Sequence, residues 1–278
     1  MPFNSKISKH LAHIGQSTNE DIDILEAALT FGSITRINPE LNVYRRHLDS
    51  IERNIRQYLQ GIKEKITVTL QQEALKQIIA SRYGYIEALY PHDTANNLNI
   101  THVIDQRSGE SITLSILYIG IARRLGWNVS GIDFPNRFLV RIEKSGSRLI
   151  IDPFIGGSVL SSEDLRSILK HSLGNQEELK PQHYKEINTI EILLRLQTIA
   201  KKRLLEENRL NDVIQVIEGM KLFFPNIPEL WREAGFLYAE LNDFSNAISS
   251  LEEYLTRSID DTLRYETSSF LQSLRQNT

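Results

Sequence analysis

Cysteine is absent from all 278 residues. That excludes disulfides, thiolate zinc sites, redox switching and every mechanism that relies on a thiolate nucleophile. Also missing is any excess of basic charge. Thirty-two Lys and Arg stand against 35 Asp and Glu, for a net charge of −3, and a pI near 6.2. A phosphate-binding surface normally needs a domain-wide surplus or a stripe of cations, so a direct nucleic-acid partner is not expected. The longest apolar run, Leu114 to Ala122, ends at Arg123-Arg124. It is about half of the ~20 residues that a helix needs to cross a bilayer, so it reads as a core segment and no membrane partner is expected. The opening Met1-Pro2-Phe3-Asn4-Ser5-Lys6 lacks the basic-then-apolar order of a secretion signal, so the expected location is cytoplasmic. The seven histidines are scattered, and the close pair His10 and His13 has no carboxylate near it in sequence. Neither a metal nor any other cofactor is expected.

What is present is ordinary globular composition, 41% apolar and 24% charged. From Thr18 to Thr30, with Glu20, Asp21 and Asp23 in the first turn and Ile22, Leu25, Ala28 and Leu29 at helical spacing, the sequence reads as a capped amphipathic helix. A second helix is expected after Pro39, with Leu41, Tyr44, Leu48, Ile51, Ile55, Leu59 and Ile62 on one face, and a third over 69–82. The stretch Tyr90-Pro91-His92-Asp93-Thr94-Ala95-Asn96-Asn97 reads as a loop ahead of a short helix over 100–106. Residues 113–125 are apolar on nearly every side, which marks a helix enclosed by protein. After Gly126 the pattern turns to strands over 127–131, 137–142 and 148–151, the last two forming a hairpin that Asp152-Pro153 ends. Trp127, Tyr118 and Phe134 read as core aromatics.

From Ile187 onward no strand pattern survives, and a self-match near 34 residues emerges. Trp231, Ala234, Gly235, Tyr238, Ala247, Leu251 and Tyr254 fit the tetratricopeptide pattern. Thirty-four residues earlier stand Gln197, Ala200, Lys201, Leu204, Val213, Ile217 and Met220, a weaker copy closed by Pro225. A last helix over 262–274 would cover the face that a terminal repeat leaves open. The expected architecture is α+β and mostly helical: a core with a small antiparallel sheet over 1–184, then an all-α helical-hairpin tail over 185–278.

Gly109-Glu110-Ser111-Ile112-Thr113-Leu114, Ala122-Arg123-Arg124-Leu125-Gly126, Phe134-Pro135-Asn136-Arg137-Phe138 and Ile151-Asp152-Pro153-Phe154-Ile155-Gly156-Gly157 occur in an order that resembles the SirB-like proteins of bacteria. Those proteins carry a transglutaminase-like core, of papain-like type, followed by tetratricopeptide repeats. In the wider superfamily a Cys opens the central helix, and a His and an Asp on neighbouring strands complete the relay. By the superfamily's spacing the Cys slot falls on Ser111, the His slot on Arg137 and the Asp slot on Asp152. A serine hydroxyl needs a base to take its proton, and arginine cannot be that base. The resemblance therefore implies a degenerate triad with no catalytic residue expected. The alternative is a hydrolase or acyltransferase that uses Ser111.

Ser111 also stands where an N-cap for the central helix would be. A hairpin turning at Lys144-Ser145 would set Arg137 opposite Asp152 as an ion pair, and a turn at Ser145-Gly146 would move the register by two. In the repeats, the family pattern puts the groove-facing positions at Arg195, Thr198, Lys202 and Leu205, then Glu229, Arg232, Phe236 and Ala239. Arg195, Lys202, Arg232 and Phe236 are the candidates for holding a protein or peptide partner, an acidic segment by their charge. The resemblance implies a regulatory protein acting through another protein.

Overall fold

The computed structural model describes residues 4–36, 40–63, 65–88 and 94–276. Of the expected loop, Tyr90, Pro91, His92 and Asp93 lie outside the described residues. The chain divides into two compact units, Thr18–Ser33 with Ile37–Ala200, and Met1–Ser17 with Ile34–Arg36 and Lys201–Thr278. The division in the C-terminal part falls at Ala200, within a helix.

In chain order the helices are α1 (Ser5–Gly15), α2 (Ile24–Ile34), α3 (Leu41–Gln60), α4 (Val68–Leu75), α5 (Ile100–Gln106), α6 (Ser111–Arg124), α7 (Ser162–Leu173), α8 (Thr189–Glu206), α9 (Leu210–Phe223), α10 (Glu229–Glu240), α11 (Phe244–Arg257) and α12 (Asp261–Gln276). The strands are β1 (Ile86–Glu87), β2 (Ser108–Gly109), β3 (Asn128–Phe134), β4 (Arg137–Lys144), β5 (Ser147–Asp152), β6 (Ser158–Val159) and β7 (Glu186–Ile187). A π-helical turn, Lys76–Arg82, extends α4.

In the first unit α6 is the central helix that its apolar sequence called for, and Ile112 through Ala122 are all buried. Gly120 has no side chain because α2 passes there: a Cβ would stand 2.2 Å from Leu25 Cγ. The sheet runs β6-β5-β4-β3-β7, antiparallel throughout, and β1 pairs with β2 in a separate parallel ladder. Five consecutive residues of β4, Phe138 to Ile142, are buried, so both faces of the sheet are covered. One face is closed by α7, where Ile132, Phe134 and Leu139 pack on Leu165 and Leu169. A capping box between Ser161 and Asp164 starts α7. Trp127 is only half-buried, whereas Tyr118 and Phe134 are core residues as expected.

The β4–β5 hairpin turns at Ser145-Gly146, both with positive φ (51° and 82°), and Lys144 pairs with Ser147. A two-residue turn with two positive φ values suits glycine at its second position. Leu139 thus falls in register with Asp152, and Arg137 is not directly opposite it.

In the second unit the 34-residue period is visible in the backbone. Asn208 and Asn242, 34 residues apart, both take positive φ (56° and 60°) between paired helices. The amide of Arg209 bonds to the Leu204 carbonyl and that of Asp243 to the Tyr238 carbonyl, each at 2.8 Å. Gly235 lets α10 approach α11, since a Cβ there would stand 2.5 Å from Leu251. Leu271 and Leu274 of α12 close the apolar cluster around Ala247 and Leu251, the capping role expected of the last helix. The N-terminal stretch, which offers little periodicity, forms α1 and packs on α9, with Gly15 against the backbone of Phe223.

Candidate functional site

The three positions that the resemblance selects come close together in the first unit. Ser111 is the first residue of α6, and Glu110, not Ser111, occupies the N-cap. The hydroxyl is employed elsewhere. Its Oγ accepts from the amide of Phe138 in β4 and lies 3.3 Å from the Phe138 carbonyl, and Ser115 Oγ donates to that carbonyl at 2.7 Å.

The cause lies in the sheet. The β4–β5 ladder begins only at Val140 and Ile151, because β5 ends at Asp152 and Pro153 opens a 3-10 turn. Proline has no amide to offer. In the β3–β4 ladder Phe138 lies opposite Asp133, between the pairs Phe134–Arg137 and Ile132–Leu139. Its amide and carbonyl therefore face the side that β5 fails to reach, and buried backbone groups need partners. Two serines one turn apart on α6, Ser111 and Ser115, supply them.

Arg137 and Asp152 do form an ion pair, but a distant one. The closest approach is Nε to Oδ2 at 3.9 Å, too long for a hydrogen bond. The guanidinium lies over the Phe154 ring, 4.4 Å from its centroid. Asp152 is 1% exposed, and its Oδ1 accepts from the Phe154 amide at 2.9 Å. Burial pushes its carboxyl above the usual range. The Phe154 amide and Arg137 oppose that shift, while the charge of Glu87 adds to it. Beside it Tyr118 is fully buried, and its hydroxyl finds no partner among the described residues.

A cavity of about 330 Å³ opens here, lined by Glu87, Ala88, Glu110, Ser111, Asn136, Arg137 and Phe154. None of these residues is a histidine. Asn136 and Phe154 stand in the resembling segments but not among the site candidates, and Glu87 in neither, because they sit on a tight turn, a 3-10 turn and a two-residue strand, none of which has a periodic signature. A second polar cluster was also missed: Arg107 Nη1 donates to Tyr85 Oη at 2.7 Å and to His47 Nε2 at 2.8 Å. There burial, then the nearby Arg107 charge, lowers the His47 pKa to about 4.

The groove candidates are each engaged by their own surroundings. In the first unit Arg195 pairs with Asp133 at 3.4 Å. In the second, Lys202 pairs loosely with Glu206 at 3.8 Å and stays 74% exposed. Arg232 donates to Thr267 Oγ1 and to Glu266, each at 3.0 Å, and stacks on Phe236, 4.9 Å from the ring centroid. Phe236 in turn meets Phe270, with ring centroids 4.7 Å apart.

The comparisons agree with this layout. A model of the transglutaminase-like superfamily matches residues 42–198, more than half of the chain. The chain belongs to the transglutaminase-like superfamily. A tetratricopeptide-repeat model follows it over residues 200–272. Among relatives of this superfamily member, the UPF0162 protein of Xylella fastidiosa (strain Temecula1) is 26% identical over 85% of this chain and 84% of its own. Protein SirB1 of Salmonella typhimurium is 24% identical over 77% and 80%, and the UPF0162 protein YchA of Escherichia coli K12 is 26% identical over 83% and 84%. A solved structure of menin aligns over 94% of this chain and 73% of its own at 11% identity, with a TM-score of 0.39 too low to carry an argument. Among the described residues no helix is long and apolar enough to cross a membrane, and no group of three His, Asp or Glu is placed to hold a metal.

Proposed function

We propose that this protein is a non-catalytic, cytoplasmic interaction protein with a regulatory role, which holds a protein or peptide partner through its helical repeats. One observation carries the non-catalytic half: the Ser111 hydroxyl is committed to the orphaned backbone of Phe138, so the atom in the nucleophile's place serves the sheet. Arg137 in the histidine slot supports it further, since a guanidinium does not accept a proton at any working pH. For the binding half, the support is the repeat itself, because stacked helical hairpins present an extended face to partners. The internal pairing of Arg195 and Arg232 weakens the case for an acidic segment. The exposed Lys202 and Leu205, the latter 42% exposed, remain the best anchors on that face.

The test is capture from native lysate by the full chain and by its Lys202→Glu, Leu205→Ser double variant. Partners retained by the native chain and lost by the variant support the reading. Identical captures refute repeat-face binding. The rival reading, a hydrolase or acyltransferase acting through Ser111, draws on the cavity beside that residue, and requires Glu87 or Glu110 to serve as base.

A further inference from the structure

Arg137 has five N–H donors and spends none of them on a hydrogen bond among the described residues. Its side chain is 30% exposed, its guanidinium carbon lies over the Phe154 ring, and it lines a cavity of about 330 Å³. Covered on one side by Phe154 and, beyond the 3.9 Å ion pair with Asp152, making no hydrogen bond among the described residues, it fits a planar two-oxygen acceptor, and a carboxylate matches its fork in both spacing and charge. The same cavity is lined by Glu87, half-buried at the end of β1, whose side chain has no hydrogen bond or ion pair among the described residues. Phosphate suits this place poorly, because Glu87 lines the same cavity and the Asp152 carboxylate already lies 3.9 Å from Arg137, and both would repel a dianion. A ligand with a carboxylate at one end of its head and a cation at the other meets both charges.

We propose that the cavity at the converted triad binds a free α-amino acid as its zwitterion, with the carboxylate on Arg137 and the ammonium on Glu87. The volume lies at the small end of ligand sites, which suits a molecule of this size. Asn136, in the turn before Arg137, places an exposed amide at the rim that can add a bond to the carboxylate. The inference rests on the non-catalytic reading of Ser111, because it gives the cavity a resident ligand and not a substrate to turn over. It would make the transglutaminase-like core a sensor and the repeats its output.

The experiment uses the full chain. Each proteinogenic L-amino acid is screened by thermal shift, and those that stabilise are titrated calorimetrically. The N-acetyl and the carboxamide derivatives of the best binder then remove one charge of its head at a time. Expected is at least one amino acid with Kd below about 1 mM, each derivative being roughly tenfold weaker or more. Arg137→Lys keeps the charge near Asp152 and loses the fork, and should weaken binding by about tenfold. Glu87→Gln touches no structural bond and should do the same. No binding of any amino acid up to about 10 mM overturns the proposal, as does an N-acetyl derivative that binds as well as its parent, or binding indifferent to both variants. A failure here leaves partner capture by the repeats and the chemistry of Ser111 where their own tests put them.

Discussion

Replacing Arg137 with alanine isolates a charge. Asp152 is 1% exposed, and Arg137, 3.9 Å away, is the cation paired with it. At an effective dielectric near 20, two unit charges at that distance attract by about 4 kcal/mol. Arg137 is itself 30% exposed, so solvent screens part of this, and the expected electrostatic loss is on the order of 1–2 kcal/mol. Loss of the stack on Phe154 adds roughly 0.5–1 kcal/mol. The total, about 2 kcal/mol, corresponds to a fall in Tm of roughly 4–8 °C for the unit that holds the sheet.

The loss should also depend on pH, with a sign that a packing defect would not share. Asp152 already has a folded pKa above its unfolded value, because burial outweighs its partners. Without Arg137 that pKa rises further. The variant then pays in full for a buried carboxylate above the folded pKa, and loses this penalty as falling pH protonates Asp152. Denaturant titrations at pH 8 and pH 5 read the difference. The cost of Arg137→Ala should shrink at pH 5, and Asp152→Asn in the same chain should remove its pH dependence. A cost below about 0.5 kcal/mol, equal at both pH values, would refute the claim that this pair is electrostatically coupled.

Three further outcomes follow from the same geometry. Ser111→Ala should cost about 1–2 kcal/mol in denaturant stability, because it strands the Phe138 amide, and should raise the hydrogen-exchange rate of that amide. Gly235→Ala should destabilise the helical repeats by roughly 1–3 kcal/mol, read from the melting of the second unit, since its Cβ would stand 2.5 Å from Leu251. His47, with a folded pKa near 4, below the unfolded value, binds fewer protons when folded. Its contribution is present above about pH 6.5 and is lost as pH falls toward 4, by on the order of 1–3 kcal/mol, and His47→Gln should flatten that part of the stability profile.

Much of the fold is written in short-range pattern. The central helix shows because it is apolar all round, and the repeats show because Asn208 and Asn242, like Leu204 and Tyr238, recur at one period. The start of α2 was misplaced at Thr18 because both Thr18 and Asp23 can open a helix. Asp23 wins by accepting from the amides of Leu25 and Glu26, while Thr18 closes a separate turn on Asp21. Helix α7 was missed although Ser161 and Asp164 spell a capping box. The hairpin register was open between two turns, and Ser145-Gly146 prevails because glycine tolerates the positive φ that lysine and serine together would not.

The site was legible as three positions and not as a cavity. Local pattern cannot show that β5 stops one residue short of Phe138, and that is what assigns Ser111 its work. Nor can it show that Arg137 makes no hydrogen bond among the described residues, since that depends on where the 3-10 turn sets Asp152 and Phe154.

The central claim is that the oxygen standing in the nucleophile's place is part of the sheet. A serine-reactive fluorophosphonate, incubated with the folded chain and followed by peptide mass mapping, tests it most directly. The account predicts no adduct on Ser111 at concentrations that label an authentic serine hydrolase fully. A stoichiometric adduct on Ser111, lost on heat denaturation and absent from Ser111→Ala, would contradict it.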